Sequence, residues 1–196
     1  LDAAIAADVK GRLKEVGPEI DFVMARREEA ATMMNMLKAG ELPLRVTHND
    51  TKLNNVMLDA KTRKPLCVID LDTVMPGLAA NDFGDSIRFG ASTALEDEKD
   101  LSKVEMSLKL YEAYARGYLS ACRNLTKNEL ETLPMGAKLM TLECGVRFLS
   151  DYLAGDVYFR TTRPEHNLDR CRTQFKLVAS MEQQWADMAR VIREIG

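Results

Sequence analysis

Apolar residues at Ile20, Val23, Ala30, Met34 and Leu37 recur at intervals of three and four, which predicts mainly helix over the first forty residues, entered near Pro18 and closed near Gly40. A short extended stretch follows from Leu42 to Thr47, and then a polar segment rich in Asn, Asp, Thr and Lys from Asn49 to Asn55. The runs Asn55–Asp59 and Leu66–Asp70 are short and apolar, and the polar, breaker-containing segment between them predicts a β-hairpin. From about Lys99 the period is helical again, with Leu101, Val104, Leu108, Tyr111, Ala115, Tyr118 and Cys122 on one stripe. Thr126 with Glu129 three residues on has the form of a capping box, opening a helix that carries Leu139, Leu142, Val146, Leu149 and Leu153. A last helix is predicted to carry Leu168, Cys171, Phe175, Val178, Met181, Trp185, Met188 and Ile192. The expected fold is mainly α, one domain with a single small hairpin and no internal repeat or linker.

Composition narrows the functional classes. In 196 residues, 27 Lys and Arg face 30 Asp and Glu for a net charge of -3, so no basic excess marks a nucleic-acid or anionic-membrane surface. No apolar run approaches the roughly 20 residues needed to span a bilayer, and the chain reads as soluble. Cys67, Cys122, Cys144 and Cys171 lack C-x-x-C pairing and a His at ligand spacing, so they read as buried thiols. With no leader-like N-terminus, the cytoplasm is the expected compartment. The chain starts at Leu1 rather than Met, which is read as a sign of trimming or incompleteness.

The polar segment before the hairpin carries the candidate chemistry. His48, Asp50, Lys52 and Asn55 follow the spacing H-x-D-x-K-x-x-N, and Asp70 and Asp72 follow the second strand. A kinase catalytic loop needs a carboxylate to orient the acceptor hydroxyl and take its proton, an amide to hold Mg²⁺, and a second carboxylate on the metal. Asp50, Asn55 and Asp70 fit these roles, because a hairpin folds Asp70 back beside Asn55 and brings two oxygen ligands to one hard cation. Lys52 is placed to neutralise charge on a transferred phosphoryl group. Taken singly, Asp50 or Asn55 is an ordinary turn residue, and Asp72 is either a further metal contact or a strand-end carboxylate.

These residues resemble the choline/aminoglycoside phosphotransferase family, whose fold is similar to that of protein kinases. The family's loop is usually H-G-D-x-x-x-x-N, and Asn49 stands here where Gly is common. Within it, the segments Val68–Gly77, Asp82–Arg88, Asp156–Arg160, His166–Arg170 and Gln174–Leu177 look most like the N-acetylhexosamine 1-kinases, and the likeness runs from about residue 18 to the end. The resemblance implies an ATP- and Mg²⁺-dependent kinase acting on a sugar acceptor. Its C-terminal lobe would hold the catalytic loop at 48–55, the metal segment at 68–72 and a helical substrate subdomain over about 98–196. It also implies that Asp82 and Asp85 support the loop, beneath which His48 reads as a structural packing residue. Although Asp82-Phe83-Gly84 spells a protein-kinase metal motif, the metal carboxylate is already placed at Asp70.

Candidate sugar contacts are Arg147, Asp151, Tyr158 and Trp185. Each has a plainer reading. Glu143, Arg147 and Asp151 recur every four residues like an exposed charge ladder, Trp185 lies on an apolar stripe, and Tyr158 sits in an irregular stretch. Helix, not a Gly-rich strand pair with a strand lysine, occupies the residues before Asp50, so the expected object is a C-terminal lobe that requires its own N-terminal lobe to complete the ATP site and is inactive alone. A kinase for choline or an aminoglycoside, and a non-catalytic binding lobe, stay open as alternatives. The sulfatase nucleophile pattern matches none of the four cysteines.

Overall fold

A computed structural model describes residues 1–196. Eight helices and two small antiparallel sheets make up the fold. In place of one N-terminal helix there are three short ones, α1 (Asp2–Ala7), α2 (Gly17–Met24) and α3 (Thr32–Lys38). The break after α2 coincides with Arg26, Arg27, Glu28 and Glu29, four successive charged residues that give the helix no face to bury. Pro18 occupies the first turn of α2, and Gly40 takes a positive φ of 75° just beyond α3.

β1 (Arg45–Thr47) pairs with β4 (Met75–Gly77), and β2 (Val56–Leu58) pairs with β3 (Pro65–Val68). The second pair is the expected hairpin, closed by the Asp59 carboxylate accepting from the Lys61 and Thr62 backbones at 3.0 and 2.6 Å. The first pair was not expected. It closes the loop around the hairpin, and it is tight: Gly77 faces Arg45, and a Cβ there would lie 2.3 Å from Thr47 Oγ1.

The next element, α4 (Ala79–Gly90), also departs from the sequence reading. Its apolar Ala80, Phe83 and Ile87 alternate with buried Asp85, Ser86 and Arg88, so no clean stripe marks it. The helical run expected from Lys99 begins only at Leu108, because Ser107 caps α5 (Leu108–Ala121) and Met106 bridges to Ser92 in extended form. The C-terminal helix is two, α7 (His166–Gln183) and α8 (Trp185–Ile195), broken at Gln184, whose Nε2 donates to Met106 O at 2.8 Å.

Between them runs α6 (Lys127–Ala154), 28 residues and therefore about 42 Å long. Its capping box is present: Thr126 N donates to Glu129 Oε2 at 2.7 Å and Glu129 N donates to Thr126 Oγ1 at 3.3 Å. Glu129 also receives Arg45 through Nε and Nη2 at 2.8 and 2.7 Å, so the same carboxylate ties β1 to the start of α6. Leu133, Ala137, Leu149 and Leu153 bury α6 against α4, α7 and α8.

Glycine sets the closest approach. A Cβ on Gly136 would lie 2.1 Å from Ala80 O, and one on Gly84 would lie 2.2 Å from Gly136 O, so the α4 and α6 backbones touch. Gly136→Ala should therefore force the helices apart and destabilise the chain by about 3 kcal/mol or more. Gly117→Ala on α5, where a Cβ meets nothing within 4 Å, should stabilise by up to about 1 kcal/mol. Denaturant midpoints of the two variants measure both, and equal midpoints would contradict the helix contact.

Candidate active site

The loop from His48 to Asn55 is held from beneath by α4. Asp82, in the first turn of that helix, accepts from His48 N through Oδ2 and from Asn49 N through Oδ1, both at 2.8 Å. Thr51 Oγ1 donates to Asp82 O at 2.6 Å and Ser86 Oγ donates to Thr51 O at 3.0 Å. From the other side Thr73 Oγ1 donates to His48 O at 2.6 Å. These bonds end on backbone atoms, so they fix the path of the loop.

Asn49 has a φ of 63°, in the left-handed region that Gly and Asn adopt most readily. This accounts for Asn in the place of Gly. The amide also donates to Thr73 O at 3.0 Å and accepts from Thr47 Oγ1 at 3.0 Å, bonds that Gly lacks. His48 Nε2 lies 2.9 Å from Ile69 O, an acceptor, and Nδ1 accepts from Asp50 N at 3.3 Å, so the ring proton belongs on Nε2. The imidazole thereby links the catalytic loop to the residue before Asp70.

Asp50 Oδ2 accepts from Lys52 Nζ at 2.7 Å and from Asn55 Nδ2 at 2.8 Å, and Asn55 Nδ2 also reaches Asp50 O at 2.8 Å. Oδ1 has no protein donor. Burial by itself raises the Asp50 pKa, but the hydrogen bonds from Lys52 and Asn55 and the charge of Lys52 outweigh it and hold the carboxyl below the usual carboxylate value. It is thus a fixed, ionised acceptor at neutral pH.

The hairpin brings Asp70 to this knot, since Ile69 N donates to Asn55 O at 2.9 Å and Asp70 follows directly, with a left-handed φ of 65°. Asp72 lies one turn further on, and both carboxylates are exposed. No three His, Cys, Asp or Glu side chains converge as a metal cage. One or two carboxylates with an amide oxygen fit Mg²⁺, which takes most of its shell from phosphates and water. Beside this knot lies a cavity of about 470 Å³ lined by His48, Lys52, Asn55, Ser86, Gly90 and Tyr114.

Other expected residues sit elsewhere. Asp85 does not reach the loop: its Oδ1 takes Arg88 Nε and Nη2 at 3.0 and 2.9 Å, and loop support falls to Asp82 instead. Asp151 is not part of an exposed ladder. It is 6% exposed, and its oxygens accept from the backbones of Val157, Tyr158 and Phe159 and from Asn167 Nδ2, so it anchors the loop that carries Tyr158. Tyr158 is 72% exposed, and Arg147 Nη2 reaches its hydroxyl at 3.4 Å. Trp185 is separate from that pair. Its ring lies 5.8 Å from Lys138 Nζ, and Lys138 and Arg147 stand about 13 Å apart along α6. Thr51, Thr73 and Ser86 were not expected, since a hydroxyl that bonds a distant carbonyl leaves no local pattern.

Asp82→Ala should leave the His48 and Asn49 amides unpaired, destabilise the chain by about 1–3 kcal/mol and speed exchange of those two amides well beyond their neighbours. Uniform slow exchange in the variant would show the loop to be held otherwise. For Asp50, whose folded pKa lies below its unfolded value of about 3.9, the linked stability is present above that value and is lost as pH falls through the folded pKa. Lys52→Met should raise the Asp50 pKa and narrow that acid-side gain. Carbon-detected titration of the Asp50 carboxyl reads the shift, and an unchanged pKa would contradict the Lys52 contact.

Comparison with known families agrees with this geometry. A family model described as the phosphotransferase enzyme family matches residues 2–126, nearly two thirds of the chain, and spans the loop from His48 to Asn55, the hairpin, Asp70 and all of α4. The chain belongs to the phosphotransferase enzyme family, kinase-like enzymes that act on small molecules.

Proposed function

We propose that the chain is the C-terminal lobe of an ATP- and Mg²⁺-dependent N-acetylhexosamine 1-kinase. The observation that carries the phosphotransfer reading is the ionised Asp50, with Oδ2 filled by Lys52 and Asn55 and Oδ1 left for an acceptor hydroxyl. In this reading Oδ1 accepts the hydrogen bond of the anomeric hydroxyl and orients its oxygen toward the γ-phosphorus of ATP. The new oxygen–phosphorus bond forms as the bond to the bridging oxygen breaks, ADP leaves with that electron pair, and the hydroxyl proton passes to Asp50. A carboxyl of low pKa suits a loose transition state, in which orientation matters more than early proton removal. Lys52 holds Asp50 in place and adds positive charge beside the transferred group.

Mg²⁺, where bound, would supply positive charge against the ATP phosphates. Asn55 and Asp70, with Asp72 beside them, are the residues that would hold it. Arg147 and Tyr158 are assigned to the acetamido sugar, with Asp151 as the anchor of the Tyr158 loop. The assignment of Trp185 rests on the capacity of an aromatic face to stack on a sugar.

Support for a further lobe comes from the surface around the hairpin. Val46, Leu53, Leu66, Val68 and Leu71 are exposed together on the small sheets and their connections, an apolar face suited to a covering unit. An N-terminal lobe placed there would roof the nucleotide and complete the site. No helix is long and apolar enough to cross a membrane, and four free thiols, one of them the exposed Cys67, suit the reducing cytoplasm.

The test is steady-state kinetics of the enzyme carrying its N-terminal lobe, with N-acetylglucosamine, N-acetylgalactosamine, choline and an aminoglycoside as acceptors. Asp50→Asn should lower kcat by about a thousandfold or more with little change in sugar affinity. Arg147→Ala should raise the sugar KM and leave the nucleotide KM unchanged. Preference for a cationic acceptor would overturn the sugar assignment alone, and full turnover by the Asp50 variant would overturn the phosphotransfer mechanism.

A further inference from the structure

The carboxylates of Asp70 and Asp72 are exposed, and Asp70 makes no side-chain bond to the turn that follows it. Where they stand is therefore set by the backbone on either side of them, and both sides are tied to the loop from His48 to Asn55. On the near side Ile69 N donates to Asn55 O and Ile69 O faces His48 Nε2, both at 2.9 Å. On the far side Thr73 Oγ1 donates to His48 O at 2.6 Å, and Thr73 O accepts from Asn49 Nδ2 at 3.0 Å. Between the two anchors lie only Asp70, Leu71 and Asp72, in a turn closed by Val74 N donating to Leu71 O at 3.2 Å. So short a span cannot shift against Asp50 unless one anchor gives.

Asn49 makes half of the far anchor. Its φ of 63° accounts for Asn or Gly at this position and does not choose between them. The side chain does: the amide nitrogen spans Thr73 O and, at 3.4 Å, Thr47 O, while Oδ1 lies 3.0 Å from Thr47 Oγ1. Thr47 is 2% exposed, and its Oγ1 also lies 2.9 Å from Met75 O, so the contact runs on into β4. Gly77 makes the room for it, since a Cβ there would lie 2.3 Å from Thr47 Oγ1 and 3.2 Å from Asn49 Oδ1. Glycine at position 49 would keep the backbone turn and lose every bond of the amide. Asn49 does not line the cavity beside Asp50, so any effect it has on the reaction passes through Thr73 and the turn.

We infer that Asn49 is a positioning residue, whose amide fixes the Thr73 end of the turn carrying Asp70 and Asp72 and so keeps those carboxylates in register with Asp50. The consequence for the reaction rests on the phosphotransfer reading, in which the two carboxylates belong to the cation of the nucleotide. The tether itself is tested without turnover, by amide hydrogen exchange of this chain followed by nitrogen-edited NMR. Asn49→Gly keeps the positive φ and removes the amide. Asn49→Asp keeps an acceptor for Thr47 and removes the donor to Thr73 O. Each variant should speed exchange of the Val74 amide about fivefold or more, and leave the Ile69 amide, held by the near anchor, within about twofold. In the enzyme carrying its N-terminal lobe, both variants should raise the Mg²⁺ concentration giving half-maximal velocity about fivefold or more, with the acceptor KM within about twofold.

Val74 exchange unchanged in both variants would overturn the inference, because the asparagine would then serve the backbone conformation alone. Acceleration spread evenly over the amides from Thr47 to Asn55, or an acceptor KM that rises as much as the Mg²⁺ requirement, would overturn it too, since either describes a loosened loop and no specific tether. If Val74 exchange is unchanged while Asp50→Asn abolishes transfer, the tether fails and the kinase reading stands. If Val74 is released in both variants and the unsubstituted enzyme with its N-terminal lobe phosphorylates no acceptor, the kinase reading fails and the tether stands.

Discussion

The path of the loop from His48 to Asn55 depends on one carboxylate, that of Asp82. Asp82 uses both oxygens on the adjacent backbone N–H groups of His48 and Asn49, and its own carbonyl accepts from Thr51. Two N–H groups of a tight loop with no strand partner would otherwise be left unpaired, and an unpaired buried donor costs about 1–3 kcal/mol. The clamp is carried by α4, which Gly84 and Gly136 let lie directly on the backbone of α6. Two glycines far from Asp50 in sequence therefore help to set where Asp50 stands.

On that platform the site balances opposing electrostatic effects. Partial burial alone would push Asp50 toward its neutral form, and the contacts from Lys52 and Asn55 reverse that. The same amide links the charge to the hairpin, because Asn55 O takes Ile69 N and Ile69 O lies on the His48 ring. Asp50, Asn55, Ile69 and His48 are thus tied through short bonds in one ring of contacts, with Asp70 next in the chain. A shift of the hairpin would carry Asn55 and Asp50 with it and so preserve their placement relative to Ile69.

What was legible in the sequence was local. The capping box at Thr126 and Glu129 and the hairpin of β2 and β3 need only near neighbours, and so do the contacts of Asn55 with Asp50 and with Ile69, the residue before Asp70. What escaped was nonlocal or internally mixed. β1 pairs with β4 across the whole hairpin, and α4 hides its helical period because it buries Asp85, Ser86 and Arg88 alongside Phe83 and Ile87. The apolar stripe from Leu168 to Ile192 continues in phase past Gln184, so the break between α7 and α8, made by a side chain reaching Met106, had no signal in the period. Asp151 kept the spacing of a surface ladder while folding inward onto three backbone N–H groups, a loop contact that no helical periodicity encodes. The support given by Asp82 came from family resemblance, and its geometry only from the fold.

The two halves of the site are built from different kinds of bond, and this bears on how they can change. Around the loop the key contacts run to backbone atoms: Asp82 to His48 N and Asn49 N, Thr73 to His48 O, Ser86 to Thr51 O. Such contacts keep the path of the loop whatever side chain stands on it, apart from the positive φ at Asn49. On α6 the contact of Arg147 with Tyr158 rests on side chains alone, and so does that of Arg88 with Asp85 and Glu96 at the C-terminal half of α4. Substitution of Arg147 or Tyr158 alters shape and charge directly and removes none of the bonds of the Asp82 clamp. The loop is joined to α6 at two places of different kind, because the glycine contact seats α4 on the α6 backbone while Arg45, on the strand leading into the loop, pairs with Glu129 at the start of α6.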